Sequence, residues 1–132
     1  MMAPRAYATL VMVEHEGVAT VTLNRPERRN ALSAAMVNEL LYVLGDANTD
    51  PETRVVVLRG AGPVFCAGGD FSQLAGGSDQ PEGLPLRGDY ADLLLALMRS
   101  TRPIVARVHG HAMGGGLGLV AASTFAIAST EA

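Results

Sequence analysis

The stretch that decides the fold is Pro103-Ile104-Val105-Ala106-Arg107-Val108-His109-Gly110-His111-Ala112-Met113-Gly114-Gly115-Gly116-Leu117-Gly118-Leu119-Val120-Ala121-Ala122. The run Ile104 to Val108 is rich in β-branched residues, a polar turn follows, and Leu117 to Ala122 are apolar helix formers. The order is strand, loop, helix N-terminus. Three consecutive glycines at a helix start cost backbone entropy, so packing alone explains them poorly; they let something approach the backbone closely, a ligand or, as the alternative, a packed strand. The first N–H groups of a helix have no intrahelical partner and lie at the positive end of its dipole. Two ligand classes fit there: a phosphate, or the oxyanion that develops on a carbonyl during catalysis.

Working outward, residues 8 to 24 read as a β-hairpin. Thr9–Glu14 and Val18–Leu23 flank the turn Glu16-Gly17, which supplies a residue free to take positive φ. Pro26 ends the second strand, and the basic loop Arg25-Pro26-Glu27-Arg28-Arg29-Asn30 follows. Its arginines are either a solvated face or a grip on phosphates. Ser33 is a suitable N-cap for a helix whose face is Met36, Leu40, Val43, Leu44 and Ala47, closed by Asn48-Thr49-Asp50-Pro51.

Val55 to Leu58 is a continuous apolar run suited to a strand covered on both faces. Gly60 to Pro63 turns the chain, and Val64-Phe65-Cys66 leads into a second glycine loop, Ala67-Gly68-Gly69-Asp70, ahead of a short helical stretch Phe71 to Ala75. Residues 76–88 have the composition of a mobile surface loop. Tyr90 to Ser100 is helical, with Leu93, Leu94, Leu97 and Met98 on one side, and Phe125 to Ala128 is a last short strand. Strands alternating with helices make a single α/β domain.

Composition narrows the function. The 132 residues are 48% hydrophobic and 17% charged, with a net charge of −3, which argues against nucleic acid or an anionic membrane surface as partner. All ten basic residues are arginine, so lysine Schiff-base chemistry and a P-loop are both excluded. The G-x-G-x-x-G dinucleotide spacing fails twice: Phe65 stands where the glycines at 60 and 62 need a third, and Leu119 where those at 114 and 116 do. No stretch is long and apolar enough for a membrane span and no leader is evident, so the expected location is cytoplasmic. The lone Cys66 reads as a small buried hydrophobe.

Two strand-to-helix junctions remain, Ala67 to Asp70 and Met113 to Gly116. If their strands run parallel and close together, both open at one sheet edge, and one N–H from each could meet on a single oxygen.

The segments Thr22 to Leu32, Val55 to Gly60, Phe65 to Asp70 and Pro103 to Leu119, in this order, resemble the crotonase superfamily, the enoyl-CoA hydratase/isomerase group. The resemblance implies a ββα spiral, of which residues 1–132 would be the N-terminal part of the core domain. It implies acyl-CoA thioesters as substrates, no cofactor beyond that thioester, and a homo-oligomer, a trimer or a dimer of trimers. Ala67 and Gly115 match the two positions whose backbone N–H groups form the family's oxyanion hole. Arg28 and Arg29 match its coenzyme A contact region, and Ala67, Gly68, Gly69 and Asp70 its adenine and pantetheine contacts; Asp70 reads equally as a helix cap.

One position departs from the pattern. The first of the two glutamates that hydratases of this family use as acid and base falls at Gly118, and the second falls beyond Ala132. Two readings follow: an enzyme of the hydratase/isomerase type, or a non-catalytic acyl-CoA-binding remnant or assembly subunit. The other candidates are weaker. His109 and His111 have metal-pair spacing but no third ligand, Asp89 and Asp92 read as a helix N-terminal charge preference, and Glu39 as a solvated helix face.

Overall fold

The computed structural model describes residues 1–70 and 84–132. Strands β1 (Leu10–His15) and β2 (Val18–Leu23) form the expected hairpin, paired antiparallel from Leu10 opposite Leu23 to His15 opposite Val18. Its two-residue turn needs positive φ at both positions, 49° at Glu16 and 82° at Gly17, as hairpins with a right-handed twist require. A single 3-10 turn, Pro26–Arg28, precedes helix α1 (Ala34–Thr49). Ser33 caps α1 by accepting a hydrogen bond from Met36 N at 3.1 Å, and the helix ends at Asp50.

Strand β3 (Val55–Gly60) is followed, after the glycine loop, by α2 (Tyr90–Met98), β4 (Ile104–Val108), α3 (Gly115–Ala122) and β5 (Phe125–Ala128). The five strands lie in chain order in one sheet, and β2 to β5 are all parallel. Each parallel crossover carries a helix or a long loop, and consecutive strands are neighbours, so the chain winds progressively in one direction across the sheet.

The core lies on one face. Ala19, Val21, Leu23, Val56, Leu58, Ile104 and Ala106 point toward Met36, Leu40, Val43 and Leu44 of α1, Leu93 and Leu97 of α2, and Leu119 of α3. The expectation that Val55 to Leu58 is covered on both faces does not hold among the described residues: β3 alternates buried and half-buried residues, because the three helices described pack on the same side. β5 is exposed along its length. Met98, expected on the packed side of α2, is instead 70% exposed, since the short helix turns only Leu93 and Leu97 fully inward.

Glu39 is also not on a solvated face. Its carboxylate is buried and accepts from Ala8 N, Thr9 N and Thr9 Oγ1 at 2.9, 2.8 and 2.7 Å, clamping the N-terminal segment across α1. The helical reading of Phe71 to Ala75 and most of the 76–88 loop lie outside the described residues. Residues 84–88 dock on α1, where Asn38 Nδ2 and Tyr42 Oη donate to Pro85 O and Arg87 N donates to Asn38 Oδ1.

Candidate active site

Parallel strands deliver their following loops to one edge, and here three such loops join. After β2, Leu32 bridges Gly69; after β4, Ala112 bridges Cys66. The loop after β3 is therefore the middle rung, with Leu32 N donating to Gly68 O at 2.6 Å on one side and Met113 N donating to Cys66 O at 3.0 Å on the other. Asn30 locks the arrangement. Its buried amide donates to the carbonyls of Ala61, Val64 and Phe65 at 2.9, 2.9 and 3.2 Å, and its Oδ1 accepts from Arg25 N. Nothing in the hydrophobic pattern singles out Asn30; the signal available was its residue type, since Asn tolerates the left-handed φ of 54° found there.

The two glycine junctions meet. Gly68 has φ +103° and its Cα faces Gly114: a Cβ on Gly68 would lie 2.9 Å from Met113 O and 3.4 Å from Gly115 N, so only glycine allows this approach. Gly116 packs as tightly, since a Cβ there would lie 2.8 Å from Cys66 Cβ and overlap Cys66 O.

The N–H inventory at this edge is specific. Ala67 N donates to Arg29 O at 3.0 Å, so the donor expected at Ala67 is already committed to the neighbouring loop. Asp70 N donates to Leu32 O at 3.2 Å. Between them the Gly69 N–H, on an exposed residue with open space around its α-carbon, has no acceptor among the described residues, and neither has the Gly115 N–H at the start of α3. These two donors stand on abutting loops, and Gly115 is the first residue of α3.

Around this edge the other singled-out residues separate into two groups. Arg28 and Arg29 are exposed, and their guanidinium groups have no partner among the described residues. Asp70 is not turned outward: its carboxylate pairs with Arg25, Nη2 to Oδ2 at 3.1 Å. Asp89 and Asp92 form a capping box at α2, with Asp92 N on Asp89 Oδ1 at 3.0 Å and Asp89 N on Asp92 Oδ2 at 2.9 Å, so their role is local. His109 Nε2 lies 2.6 Å from Gly62 O, a loop bond, and no group of three His, Cys, Asp or Glu among the described residues is placed to hold a metal ion. Burial raises the Cys66 thiol above its ordinary range, keeping it an inert part of the core.

A mainly apolar cleft of about 580 Å³ opens beside the junction, lined by Leu32, Ala34, Val37, Leu86 and Tyr90, with Ser33, Asp89 and Asp92 also on its wall. Tyr90 donates from its hydroxyl to Gly115 O at 2.7 Å. The sequence placed Tyr90 only as the first residue of a helix.

The family model for enoyl-CoA hydratase/isomerase matches residues 13–132. The chain belongs to the enoyl-CoA hydratase/isomerase family. A protein of Mycobacterium bovis named probable enoyl-CoA hydratase echA12 is 39% identical over 97% of this chain and 48% of its own length. A probable enoyl-CoA hydratase of Rhodobacter capsulatus is 40% identical over 96% of this chain and 48% of its own. Among solved structures, Pseudomonas aeruginosa AtuE is 40% identical with a TM-score of 0.81, over 94% of this chain and 49% of that one. Enoyl-CoA hydratase EchA8_6 of Mycobacterium marinum is 31% identical with a TM-score of 0.84, over 95% and 59%. The chain thus spans about half the length of the curated relatives it matches. The fold is the crotonase fold of these family members, and the glycine junctions of the site lie inside the matched region. No helix among the described residues is long and apolar enough to cross a membrane.

Proposed function

We propose that this chain forms the thioester-binding part of an acyl-CoA-processing enzyme of the hydratase/isomerase type. The thioester carbonyl oxygen accepts from the N–H groups of Gly69 and Gly115, which stabilise the enolate that develops when a proton leaves the neighbouring carbon. One such donor is worth about 3 to 4 kcal/mol of transition-state stabilisation. The single observation carrying this reading is that these two N–H groups, on loops packed against each other at Gly68 and Gly114, have no acceptor among the described residues.

Gly69 takes the place expected for Ala67, because the Ala67 N–H is held by Arg29 O. Ala67 and Gly68 then shape the loop, and Asp70 secures it through Arg25. Arg28 and Arg29, whose guanidinium groups lie on an exposed loop without a partner among the described residues, hold the phosphates of coenzyme A. The acyl chain enters the apolar cleft beside Leu32 and Tyr90. The coenzyme A thioester is the substrate and no further cofactor takes part. The working form is a soluble, cytoplasmic homo-oligomer, a trimer or dimer of trimers, for which light scattering after size exclusion is the direct check.

Calorimetric titration with a short enoyl-CoA and with free coenzyme A tests the reading. Saturable binding that is tighter for the thioester is expected, and Gly115→Pro, which removes the N–H at the first helical position, abolishes the preference in a variant whose melting curve shows it folded. Equal affinity for both ligands, or none, overturns it. Gly118 favours a second reading, a non-catalytic acyl-CoA-binding subunit, which the same protein would reveal by binding the thioester selectively without turning it over.

A further inference from the structure

Gly118 lacks the side chain that the hydratase pattern carries, and a different group stands in that space. A Cβ built on Gly118 would overlap the hydroxyl oxygen of Tyr90, with the ring carbon Cζ at 3.3 Å and Leu94 Cδ2 at 3.6 Å. That same hydroxyl donates to Gly115 O at 2.7 Å. The ring also covers Gly115, whose Cβ position lies 3.4 Å from both Cε2 and Cζ, while Leu32 Cδ1 closes the other side at 3.1 Å.

The base from which Tyr90 reaches is rigid. It is the first residue of α2, enclosed by the Asp89/Asp92 capping box, and one turn on Leu93 is fully buried. Burial holds its phenol above the ordinary tyrosine range, so the group acts as a neutral hydrogen-bond donor and not as a base. Residues 90 and 118 are therefore mutually exclusive in space: a side chain at 118 drives the phenol off Gly115, and the phenol on Gly115 requires glycine at 118.

We propose that Tyr90 is a positioning residue of this site: its phenol, seated in the space left by Gly118, holds the Gly115 carbonyl and so fixes the direction of the Gly115 N–H. The proposal rests on the reading of Gly115 as a thioester donor. Without the hydroxyl, the Gly115 carbonyl loses this side-chain anchor, and a donor that wanders stabilises an oxyanion poorly, because the benefit depends on its being aimed beforehand.

The test compares wild type with Tyr90→Phe, Gly118→Ala and the double variant. Amide hydrogen exchange at Gly116 and Gly118, whose N–H groups donate to Met113 O and Gly114 O at 2.8 and 3.2 Å, quickens in Tyr90→Phe while exchange in β3 is unchanged, and this readout needs no ligand. The preference for enoyl-CoA over free coenzyme A falls about fivefold to tenfold, the size of one net hydrogen bond, with the affinity for free coenzyme A unchanged. Gly118→Ala displaces the phenol and reproduces both effects, whereas adding it to Tyr90→Phe changes neither further. Faster exchange with an unaltered thioester preference reduces Tyr90 to a structural residue and overturns the proposal, as does additivity of the two substitutions. Wild type that binds no thioester defeats the reading of Gly115 itself, a failure distinguishable from the other two because it appears before any substitution is made.

Discussion

Arg25 Nη2 lies 3.1 Å from Asp70 Oδ2 across 45 residues of sequence, and Nη1 of the same guanidinium donates to Ala31 O at 3.0 Å. One planar group therefore spans the basic loop and the end of the glycine loop, using two donors that point in different directions. Both side chains are largely shielded, 18% and 6% exposed, so the pair lies in a medium where its loss is felt. Removing Arg25 takes a cationic partner from a buried carboxylate. Arg25→Ala is expected to cost about 3 kcal/mol in urea unfolding, and Arg25→Lys to recover little of it, since an ammonium is a point charge and cannot bridge both acceptors. Recovery of full stability by lysine contradicts the two-donor account.

Asn30 gathers three carbonyls from the loop after β3. Asn30→Ala leaves these oxygens and the Arg25 N–H short of a partner and places alanine at a left-handed φ. We expect a loss of about 3 kcal/mol, measured by thermal or denaturant unfolding, together with weakened acyl-CoA binding as the two loops come apart. Asn30→Asp, which keeps the acceptor for Arg25 N but not the donors, should fall close to alanine.

Gly116 has no room for a methyl group, because the obstacles are the backbone oxygen and the Cβ of Cys66 and neither can swing aside. Gly116→Ala is expected to destabilise the chain by about 2 to 3 kcal/mol despite alanine's better helix propensity. Gly69→Ala, with nothing within 4 Å of its Cβ position, is expected to leave the melting temperature almost unchanged. A melting scan of the two variants side by side decides between steric fit and propensity.

Tyr7 sets an alkaline limit. Burial, reinforced by the negative charge of Asp46, pushes its phenol up from 10 to about 12. A raised folded pKa favours the neutral form, so the stabilisation is complete below pH 10 and is lost as the pH rises from 10 to about 12, where the unfolded chain ionises first. Tyr7→Phe should flatten the fall in melting temperature across that interval and leave neutral-pH behaviour similar; an unchanged alkaline slope counts against Tyr7 as its source.

Much of this fold was legible in the letters, because strands, helices and turns follow from periodicity and capping over a few residues. The hairpin at Glu16-Gly17, the cap at Ser33, the buried face of α1 and the strand before the three glycines all appear where pattern places them. The ordered motifs around Arg25, Phe65 and Gly115 were sufficient to recognise the family. What the sequence could not convey is which donors are left over once the loops pair. Ala67 and Gly69 are two residues apart, and only the parallel register that sets Ala67 N against Arg29 O determines that one is occupied while the other has no acceptor among the described residues. Glu39 looked solvated because its helix position was judged alone, while its partners Ala8 and Thr9 arrive from another segment. Gly118 looked like a simple deficit for the same reason. Its meaning depends on Tyr90, 28 positions earlier, whose hydroxyl comes to fill that space only after α2 and α3 have packed on the same face of the sheet.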